Sequence, residues 1–599
     1  MARTYRVRRI ARHDIRSPHT SKWGNSEIHR LQVLKLIFLC TLSVIVIRLF
    51  TLMIGQHSFY TALASGSHEV SAKLTPERGS IYLESNDKKL TPLVLNRDKF
   101  VVFADTRGYT DPKTPLEVAT SLASFFSYSD ERKTEVLSQL EKQNDGYEQI
   151  EKNIDEDTKK KLEELHLQGI YFTRFRERFY PEGILAAPVV GFVGKNQQGE
   201  SVGRYGIEGY WNSIIAGSGG FLEGIRSAKG AWIPLAGRSF EQATDGPNLV
   251  LTLDRTLQDE ICERLRAAVK QYQAQAGSLV IMDPKTGAIT TMCSIPDFNP
   301  NEYGKVEDIS FYNNLSIFEP YEPGSVFKPI TMAAALDTNT VKPDDPFTDP
   351  GSADGNCKKP IQNADNRNYG AQNMSGILEH SINTGVVYVV KKLGKEKFRD
   401  YVERFGFGTK TGIELDTESP GTIESLSVNK GDAVDCYTAT ASFGQGITVT
   451  PLQMVTAFSA IANGGKLMKP YIVKRIEYPN GKVEETHPTE VRQVVDKHTA
   501  DTVAAMMVRV VDYSEGKNGK VPGYYIAGKT GTAQIAGPGG YTNETNHSFI
   551  GFGPVDDPKF VMLIRLEKPQ RSYANITAAP LFAQMVTYMM SYYHIPPER

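Results

Sequence analysis

The sequence is poor in cysteine and carries almost no net charge. Five cysteines among 599 residues are too few for the disulfide framework of a small secreted protein. The net charge of -1 gives no support for nucleic-acid binding, which needs an excess of basic residues. Hydrophobic residues make up 40% of the chain and charged residues 23%, which excludes a disordered or collagen-like protein. We therefore expect a folded, globular protein.

Two common kinds of functional motif are also missing from residues 55–245. This stretch contains no cluster of metal-ligating residues and no glycine-rich phosphate-binding loop. It mixes short strand-like runs with a charged helical stretch near residues 155–167. We interpret it as a spacer or binding module.

The five cysteines lie in three kinds of surroundings. Cys40 lies within a long apolar run near the N-terminus. Cys262 and Cys293 lie in apolar stretches, and we interpret them as small core residues. Cys357 and Cys436 lie in polar stretches, and the sequence leaves open whether they form a disulfide.

One long hydrophobic run stands out, at residues 31–54. Its length suits a single tilted membrane helix, for which about 20 apolar residues are needed. Basic residues dominate residues 1–30, so the positive-inside rule predicts a cytoplasmic tail and an extracytoplasmic remainder. No small-residue cleavage site follows the run, which favours an uncleaved anchor over a signal peptide. A buried core helix is the alternative.

The mixture of predicted strands and helices over residues 246–599 is typical of one α/β domain. Leu257, Ile261 and Leu265 recur at a spacing of four, which predicts an amphipathic helix over residues 255–272. Short apolar runs bounded by turn residues predict strands. The expected strands are residues 248–254, 278–282, 288–293, 524–527, 548–553 and 560–566, and the other expected helices are residues 326–337, 374–393, 450–462, 497–512 and 577–592.

The first candidate catalytic motif is Ser325 with Lys328, three residues later. Pro323-Gly324 interrupts the chain and an apolar run follows, which predicts that Ser325 opens a helix. Residues three apart share one face of a helix, so the lysine can act as a base on the serine hydroxyl. The other Ser-x-x-Lys sequences lie in polar, loop-like surroundings; they are Ser85/Lys88, Ser427/Lys430 and Ser514/Lys517.

The second candidate motif is Ser381-Ile382-Asn383. It supplies a hydroxyl that can relay a proton and an amide that can hold a peptide carbonyl. A lone serine of this kind is more often a capping residue, so the motif gains weight only beside the others.

The third candidate motif is Lys529-Thr530-Gly531, followed by Thr532. An edge strand there would carry a cation and hydroxyls, and it could pair with an extended peptide. Two further Lys-Thr-Gly sequences, at residues 285–287 and 410–412, have the character of turns.

Taken together and in this order, the three motifs resemble those of class B penicillin-binding proteins. The middle motif is Ser-Ile-Asn, which departs from the Ser-Asp-Asn of class A β-lactamases. Further stretches resemble family landmarks. One of them, Pro320-Tyr321-Glu322-Pro323-Gly324, is similar to the segment before the catalytic serine in the division-type members of the family. These stretches are Arg78-Gly79-Ser80-Ile81-Tyr82, Arg178-Phe179-Tyr180-Pro181, Gly191-Phe192-Val193-Gly194, Gly206-Ile207-Glu208, Asp297-Phe298-Asn299-Pro300 and residues 444–454. After Tyr82 the sequence departs from the family pattern, so a specific contact by that stretch is in doubt.

The resemblance implies an α/β fold with four parts. These are a cytoplasmic tail (1–30), a transmembrane helix (31–54), an α+β pedestal (55–245) and a transpeptidase domain (246–599) with an antiparallel sheet flanked by helices. It also implies a single-pass protein of the bacterial cell membrane. Implied partners are peptidoglycan stem peptides, β-lactams, a polytopic membrane glycan polymerase and other division proteins, and no cofactor is implied.

The resemblance further implies a role for each motif residue in a D,D-transpeptidase of septal cell-wall synthesis. Ser325 would be the acylated nucleophile and Lys328 its general base. Ser381 and Asn383 would relay a proton and bind substrate. The substrate carboxylate would be held by Lys529, Thr530, Gly531 and Thr532, and the backbone N–H groups of Ser325 and Thr532 would form the oxyanion hole.

Three other interpretations compete with this one. A β-lactamase or carboxypeptidase would not need the anchor and the large pedestal. A non-catalytic scaffold would not need the intact motifs. A bifunctional enzyme would need a glycosyltransferase motif with paired acids before residue 246, and the sequence has none there.

Overall fold

The computed structural model describes residues 25–55, 69–85, 88–143, 145–225, 239–428, 431–514, 516–538 and 540–599. The chain divides into two compact units. The first combines Met1–Leu74 with Gly220–Gln242, and the second combines Thr75–Gly219 with Ala243–Arg599. Most of the predicted cytoplasmic tail, residues 1–24, lies outside the described residues.

The first unit contains the predicted membrane helix, which runs from Asn25 to Phe50 and continues as a π-helical turn, Thr51–Gly55. Its segment Val33–Phe50 has a mean hydropathy of 2.4, and none of it is buried. A helix of this length and composition fits a single-pass membrane anchor. The unit also holds a three-stranded antiparallel sheet of Glu69–Leu74, Gly220–Ile225 and Ser239–Glu241, in that order.

The second unit contains a sheet that we call the pedestal sheet. The 15-residue strand Leu90–Ala104 organises it, because three other strands pair with it. Ile81–Glu84 pairs with its first part, and Glu148–Ile154 and Ile170–Phe179 both pair with its later part. The strand order is Val483–Glu485, Val473–Glu477, Asn248–Leu251, Ile81–Glu84, Leu90–Ala104 and Glu148–Ile154, with Ile170–Phe179 also paired to Leu90–Ala104. The helices of this region are Thr114–Phe126, Asp130–Leu140, Glu156–Glu163, Ala187–Val190, Gly206–Tyr210 and Asn212–Ile215, and a small hairpin pairs Phe192–Lys195 with Ser201–Arg204.

Three of the pedestal stretches quoted above meet in a buried ion cluster. The Glu208 carboxylate is fully buried and accepts hydrogen bonds from Arg78 Nε and Arg178 Nε, each at 2.7 Å. Arg178 also donates to Asn96 Oδ1 at 2.9 Å and to the Gly79 carbonyl at 2.8 Å. Buried charges persist only when they are paired and hydrogen-bonded in this way.

The second sheet of this unit, which we call the catalytic sheet, has five antiparallel strands. Their order is Ile289–Ile295, Ala276–Met282, Phe560–Glu567, Gly540–Gly553 and Ala527–Gly537. Side chains alternate between two cores: Val561 and Leu563 point into one, Met562 and Ile564 into the other. Burial on both faces explains why the strands Ala276–Met282 and Phe560–Glu567 are mostly apolar.

Helices cover the two faces of the catalytic sheet. On one face, Arg255–Gln271 and Ala578–Tyr592 pack against it, with Leu257, Ile261 and Leu265 in the core as predicted. The other face is covered by helices that include Pro451–Ala462 and Lys497–Tyr513. The remaining α-helices of the domain are Lys328–Asp337, Met374–Glu379, Asn383–Leu393, Lys395–Arg404 and Cys436–Ala441. Small two-stranded sheets pair Pro346–Asp349 with Gly370–Asn373, Ser352–Ala353 with Ile361–Gln362, and Lys466–Met468 with Glu490–Gln493.

The strand expected over residues 248–254 is present as Asn248–Leu251, whereas the single helix expected over residues 374–393 is wrong. The strand Asn248–Leu251 belongs to the pedestal sheet, because it pairs with Ile81–Glu84 and Val473–Glu477 and not with the catalytic sheet. The helix expected over residues 374–393 is two helices, because the chain turns sharply at Ser381.

The cysteine expectations need one correction. Cys262 and Cys293 are buried as predicted, but they form a disulfide that joins the Arg255–Gln271 helix to the Ile289–Ile295 strand. Cys357 and Cys436 also form a disulfide, which answers the question that the sequence left open.

Candidate active site

Ser325 lies where a short 3₁₀ helix, Gly324–Phe327, leads into the helix Lys328–Asp337. The preceding Gly324 has φ +61° and packs against the Ala527–Gly537 strand, where an added Cβ would lie 2.9 Å from the Cβ of Ala533. Its neighbours Val326 and Phe327 are fully buried. These contacts hold the half-buried Ser325 at the start of the helix, beside the catalytic sheet.

Lys328 lies in the first turn of that helix and is completely buried. Its Nζ donates hydrogen bonds to the Ser381 carbonyl oxygen and, at 3.1 Å, to the Ser381 hydroxyl. The first and second motifs are therefore joined directly through the lysine, although they are far apart in the sequence. A buried amine needs such oxygen partners.

The backbone turn at Ser381 brings the second motif to the lysine. Ser381 has φ +56°, which is rare for a residue with a side chain, and it separates the helices Met374–Glu379 and Asn383–Leu393. The Ser381 N–H donates to Leu378 O at 3.2 Å, and the Ile382 N–H donates to Ile377 O at 2.9 Å. Strained backbone of this kind is found preferentially at functional sites.

Asn383 opens the second of these helices, and a buried polar network fixes the backbone around it. Its Nδ2 donates to the Gln362 carbonyl at 2.9 Å. The neighbouring Thr384 hydroxyl donates to Asp349 Oδ1 at 2.6 Å, and Asn363 Nδ2 donates to Asp349 Oδ2 at 2.8 Å. Burial alone would raise the pKa of Asp349, but these hydrogen bonds hold it below its ordinary value.

The sequence analysis did not single out Asp349 and Asn363. Both lie on or beside short strands whose pairing depends on long-range contacts. The available local signal was an Asn- and Asp-rich stretch, which is typical of any loop.

The third motif lies on Ala527–Gly537, the edge strand of the catalytic sheet. Within the part of the chain that the structure describes, no strand pairs with its outer side. Lys529 is fully buried, and its Nζ donates to the Thr530 carbonyl at 3.2 Å and hydroxyl at 3.4 Å. The Thr532 hydroxyl accepts the Ala574 N–H at 3.0 Å. The strand thus offers backbone groups, hydroxyls and a cation along one edge.

Gly531 allows the strand to approach the serine. A Cβ at this position would lie 2.5 Å from Ser548 Oγ and 2.9 Å from Val326 Cγ1. Any other residue would push the edge strand away from the segment that carries Ser325. Glycine in a strand interior often marks such a close approach.

The look-alike motifs lie in turns and loops. Residues 285–287 form the turn between Ala276–Met282 and Ile289–Ile295, as predicted. Residues 410–412 lie in a loop, where the Glu418 carboxylate accepts the Thr411 N–H at 2.7 Å. Lys430, in another Ser-x-x-Lys sequence, lies outside the described residues.

Glu322 is a further residue of this region whose role the sequence analysis did not identify. Its Oε1 accepts the Gly446 N–H at 2.9 Å and the Tyr541 hydroxyl at 3.3 Å. Burial raises the pKa of the Glu322 carboxyl.

His547 lies opposite Thr532 on the neighbouring strand and is fully buried. Its Nδ1 lies 2.9 Å from Thr577 Oγ1 and its Nε2 lies 3.1 Å from Thr545 Oγ1. Burial lowers the pKa of His547 to about 4, so the ring is neutral at physiological pH.

The Cys357–Cys436 disulfide ties two segments near the motifs. Cys357 precedes the strand Ile361–Gln362, whose Gln362 carbonyl accepts from Asn383. Cys436 opens the helix Cys436–Ala441, and the following Gly444 accepts a backbone hydrogen bond from Gly324 at 2.9 Å. The disulfide therefore connects the loop beside the second motif to the segment beside the first.

Comparison with protein families gives two matches that together cover most of the chain. The model described as penicillin binding protein transpeptidase domain matches residues 277–587. The model described as penicillin-binding protein dimerisation domain matches residues 73–251.

Individual proteins agree with the family models. Stage V sporulation protein D of Bacillus subtilis is 33% identical, over 92% of this chain and 84% of its own. The peptidoglycan D,D-transpeptidase FtsI homolog of Mesostigma viride is 26% identical, over 95% and 96%. The crystal structure of penicillin binding protein 2X from Streptococcus thermophilus shares the fold, with a TM-score of 0.74, 23% identity and coverage of 87% and 80%.

Proposed function

This chain belongs to the penicillin-binding proteins, a family of serine-type peptidoglycan D,D-transpeptidases, and on that premise we propose that it crosslinks stem peptides through an acyl-enzyme on Ser325. The observation that supports the assignment of Ser325 best is the hydrogen-bonded connection from Lys328 to Ser381. The connection supports the assignment because Lys328 and Ser381 would then supply a base and a proton relay to Ser325, whose Ser-x-x-Lys sequence opens a buried helix.

In the first step, Ser325 Oγ attacks the carbonyl carbon of the D-Ala–D-Ala bond while neutral Lys328 accepts the hydroxyl proton. The C–O bond forms and the peptide C–N bond then breaks. Free D-alanine leaves with a proton that passes from Lys328 through the Ser381 hydroxyl. The N–H groups of Ser325 and Thr532 stabilise the oxyanion between these events.

In the second step, an amine of another stem peptide attacks the Ser325 ester. The new C–N bond forms while the attacking amine gives a proton through the Ser381 hydroxyl to neutral Lys328. The C–O bond to Ser325 then breaks, and Lys328 passes that proton to the serine oxygen. The products are a peptide crosslink and the free enzyme. Asn383, at the start of its helix, would hold the carbonyl of the donor peptide during both steps.

The donor substrate would lie extended along the outer side of the Ala527–Gly537 strand. Lys529 with the Thr530 and Thr532 hydroxyls would bind its terminal carboxylate, and Gly531 would keep the strand close to the serine. A β-lactam carries a comparable carboxylate and carbonyl, so it would acylate the same Ser325.

We assign the parts of the chain as follows. Residues 1–30 would form a cytoplasmic tail and residues 31–54 the anchor. Residues 55–245 would form a pedestal domain and residues 246–599 the transpeptidase domain, both outside the cytoplasm. The excess of basic residues before the anchor supports this orientation.

We also assign a membrane partner, a polytopic glycan polymerase that supplies the strands to be crosslinked in septal wall synthesis. Arg48 supports this assignment, because an ionisable residue inside an apolar membrane helix commonly faces another protein. Crosslinking in membranes should lose a partner with Arg48→Leu. Unchanged crosslinking would remove Arg48 from the interface.

Labelling with a fluorescent penicillin tests the central assignment. The full-length protein in detergent should form a stable adduct that peptide mass places on Ser325, and Ser325→Ala should abolish it. Ser427→Ala, at a look-alike motif, is the matched control and should label normally. A stable adduct also excludes a rapid β-lactamase, whereas well-folded protein without any adduct would favour the scaffold interpretation.

A further inference from the structure

The edge strand Ala527–Gly537 sets the direction in which a donor peptide would run past Ser325. Lys529 lies near its start, and Gly324, which precedes the nucleophile, packs on Ala533. Farther along, Ala536 pairs with Tyr541 of the neighbouring strand. A donor peptide whose carboxylate lies at Lys529 therefore has its scissile bond at Ser325 and its preceding residues toward Tyr541.

Glu322 lies at this far end. Its carboxylate contacts the Tyr541 hydroxyl and the Gly446 N–H, both through Oε1. Gly446 belongs to the segment that runs beside the nucleophile, since the Gly324 N–H donates to Gly444 O at 2.9 Å. The carboxylate is thus placed where the donor residues upstream of the scissile bond would pass.

The second oxygen of this carboxylate has unused capacity. Among the described residues, Glu322 Oε2 is buried and accepts no hydrogen bond. A desolvated carboxylate oxygen without a donor is costly, so such an atom calls for a ligand that can supply one. Both partners of Oε1 are neutral, which leaves the negative charge available to a cation.

The chemistry of crosslinking indicates which cation. In the proposed second step the nucleophile is an amine of another stem peptide, which we take to lie on a side chain, and donor and acceptor are copies of one kind of stem peptide. The donor therefore carries the same amine, upstream of its own scissile bond. Resting on the proposed function, we propose that Glu322 is a specificity-determining residue that binds this donor amine through Oε2.

A series of peptides tests the proposal on the unmodified, full-length protein. The probes are three acyl-X-D-Ala-D-Ala peptides in which X is lysine, norleucine or aminoadipate. The readout is the peptide concentration that halves the rate of fluorescent penicillin labelling. The lysine peptide should protect at about tenfold lower concentration than the norleucine peptide, the scale of a charge-assisted hydrogen bond. The carboxylate-bearing peptide should protect least.

Glu322→Gln should reduce the preference for lysine over norleucine to within about twofold. Glutamine keeps an oxygen for Gly446 and Tyr541, so the variant removes the charge while retaining those contacts. Glu544→Gln is the matched control. Glu544 lies on the same strand as Tyr541, and its exposed carboxylate forms an ion pair with Lys568. It should keep the tenfold preference.

Two results would overturn the proposal: equal protection by the lysine and norleucine peptides in the unaltered protein, or an undiminished preference in Glu322→Gln. If Glu322→Gln does not fold, a fourth peptide in which X is the uncharged Nε-acetyllysine should protect the unaltered protein no better than the norleucine peptide. Protection equal to that of the lysine peptide would contradict the proposal. Failure of the proposed function is a separate result, in which penicillin labels no serine. In that case calorimetry measures the binding of the same three peptides directly. Tightest binding of the lysine peptide and weakest binding of the aminoadipate peptide would support the role of Glu322.

Discussion

The buried basic side chains at two places in the second unit have different hydrogen-bond partners. In the pedestal part, Arg78 and Arg178 share the Glu208 carboxylate. In the active site, the Lys328 amine donates to the carbonyl and hydroxyl oxygens of Ser381. A buried cluster of guanidinium groups around a carboxylate loses much stability when the shared partner is removed. On the proposed function, the hydrogen bonds from Lys328 instead position the amine that acts as the base.

Replacing Lys328 should give the largest effect on function and a small one on stability. Lys328→Ala should lower the rate of acylation by penicillin by about a hundredfold to ten-thousandfold, because a general base contributes that much. Stopped-flow labelling measures the rate, and thermal unfolding checks the fold. Lys517→Ala, at a look-alike motif, should label at the normal rate. Normal acylation in folded Lys328→Ala would remove the lysine as the base.

Removing the shared carboxylate should have the opposite result. Glu208→Gln leaves two guanidinium groups buried without a counter-charge, and it should cost about 3–5 kcal/mol of unfolding free energy. Denaturant unfolding measures that loss, while the acylation rate of the folded fraction should be retained. The exposed Glu200→Gln is the control for the same substitution. A stable Glu208→Gln protein with slow acylation would break the comparison between the clusters.

Lys529 is a second buried amine of the active site and sharpens the comparison. Lys529→Ala should weaken binding of a D-Ala-D-Ala peptide by about tenfold to a hundredfold, the value of hydrogen bonds to a charged group. Protection against penicillin labelling measures this change. Lys410→Ala removes the lysine of a look-alike Lys-Thr-Gly sequence and should have no effect. Equal effects of the two substitutions would argue against a carboxylate site on the edge strand.

His547 is another buried basic side chain, and its ring is neutral at physiological pH. Its folded pKa of about 4 lies below the unfolded value of 6.5, so the unfolded chain binds the proton more tightly. Stability is therefore retained above pH 6.5 and lost as the pH falls toward 4. The loss should be about 2 kcal/mol between pH 7 and pH 5. Denaturant unfolding of His547→Gln should lack this component, and the exposed His487→Gln should keep it.

The sequence was most informative where chemistry depends on local order. Ser325 after Pro-Gly and before an apolar run was recognisable as a helix start, and Lys328 follows on the same face. The strands around Leu279 and Leu563 were predictable because burial on both faces leaves an uninterrupted apolar run. The same patterns failed at Ser381, because helix propensity over residues 374–393 carries no signal for a turn that tertiary contacts impose.

The sequence also did not predict pairing between segments that lie far apart in the chain. The strand Asn248–Leu251 has the same local character as its neighbours, yet its partners in the pedestal sheet lie more than a hundred residues away on either side. The disulfide between Cys262 and Cys293 was missed for a similar reason, since apolar surroundings suit a free and a bonded cysteine equally well.

By itself, the sequence determined the long apolar helix near the N-terminus, the three motifs, the main strands and helices of the catalytic part, and through them the family. These features depend on residues close together in the chain. Only the tertiary structure decided which motif copies meet, how Lys328 reaches Ser381, and that Glu322 faces the far end of the edge strand. Each of these facts depends on packing between distant segments, which local propensity and periodicity do not encode.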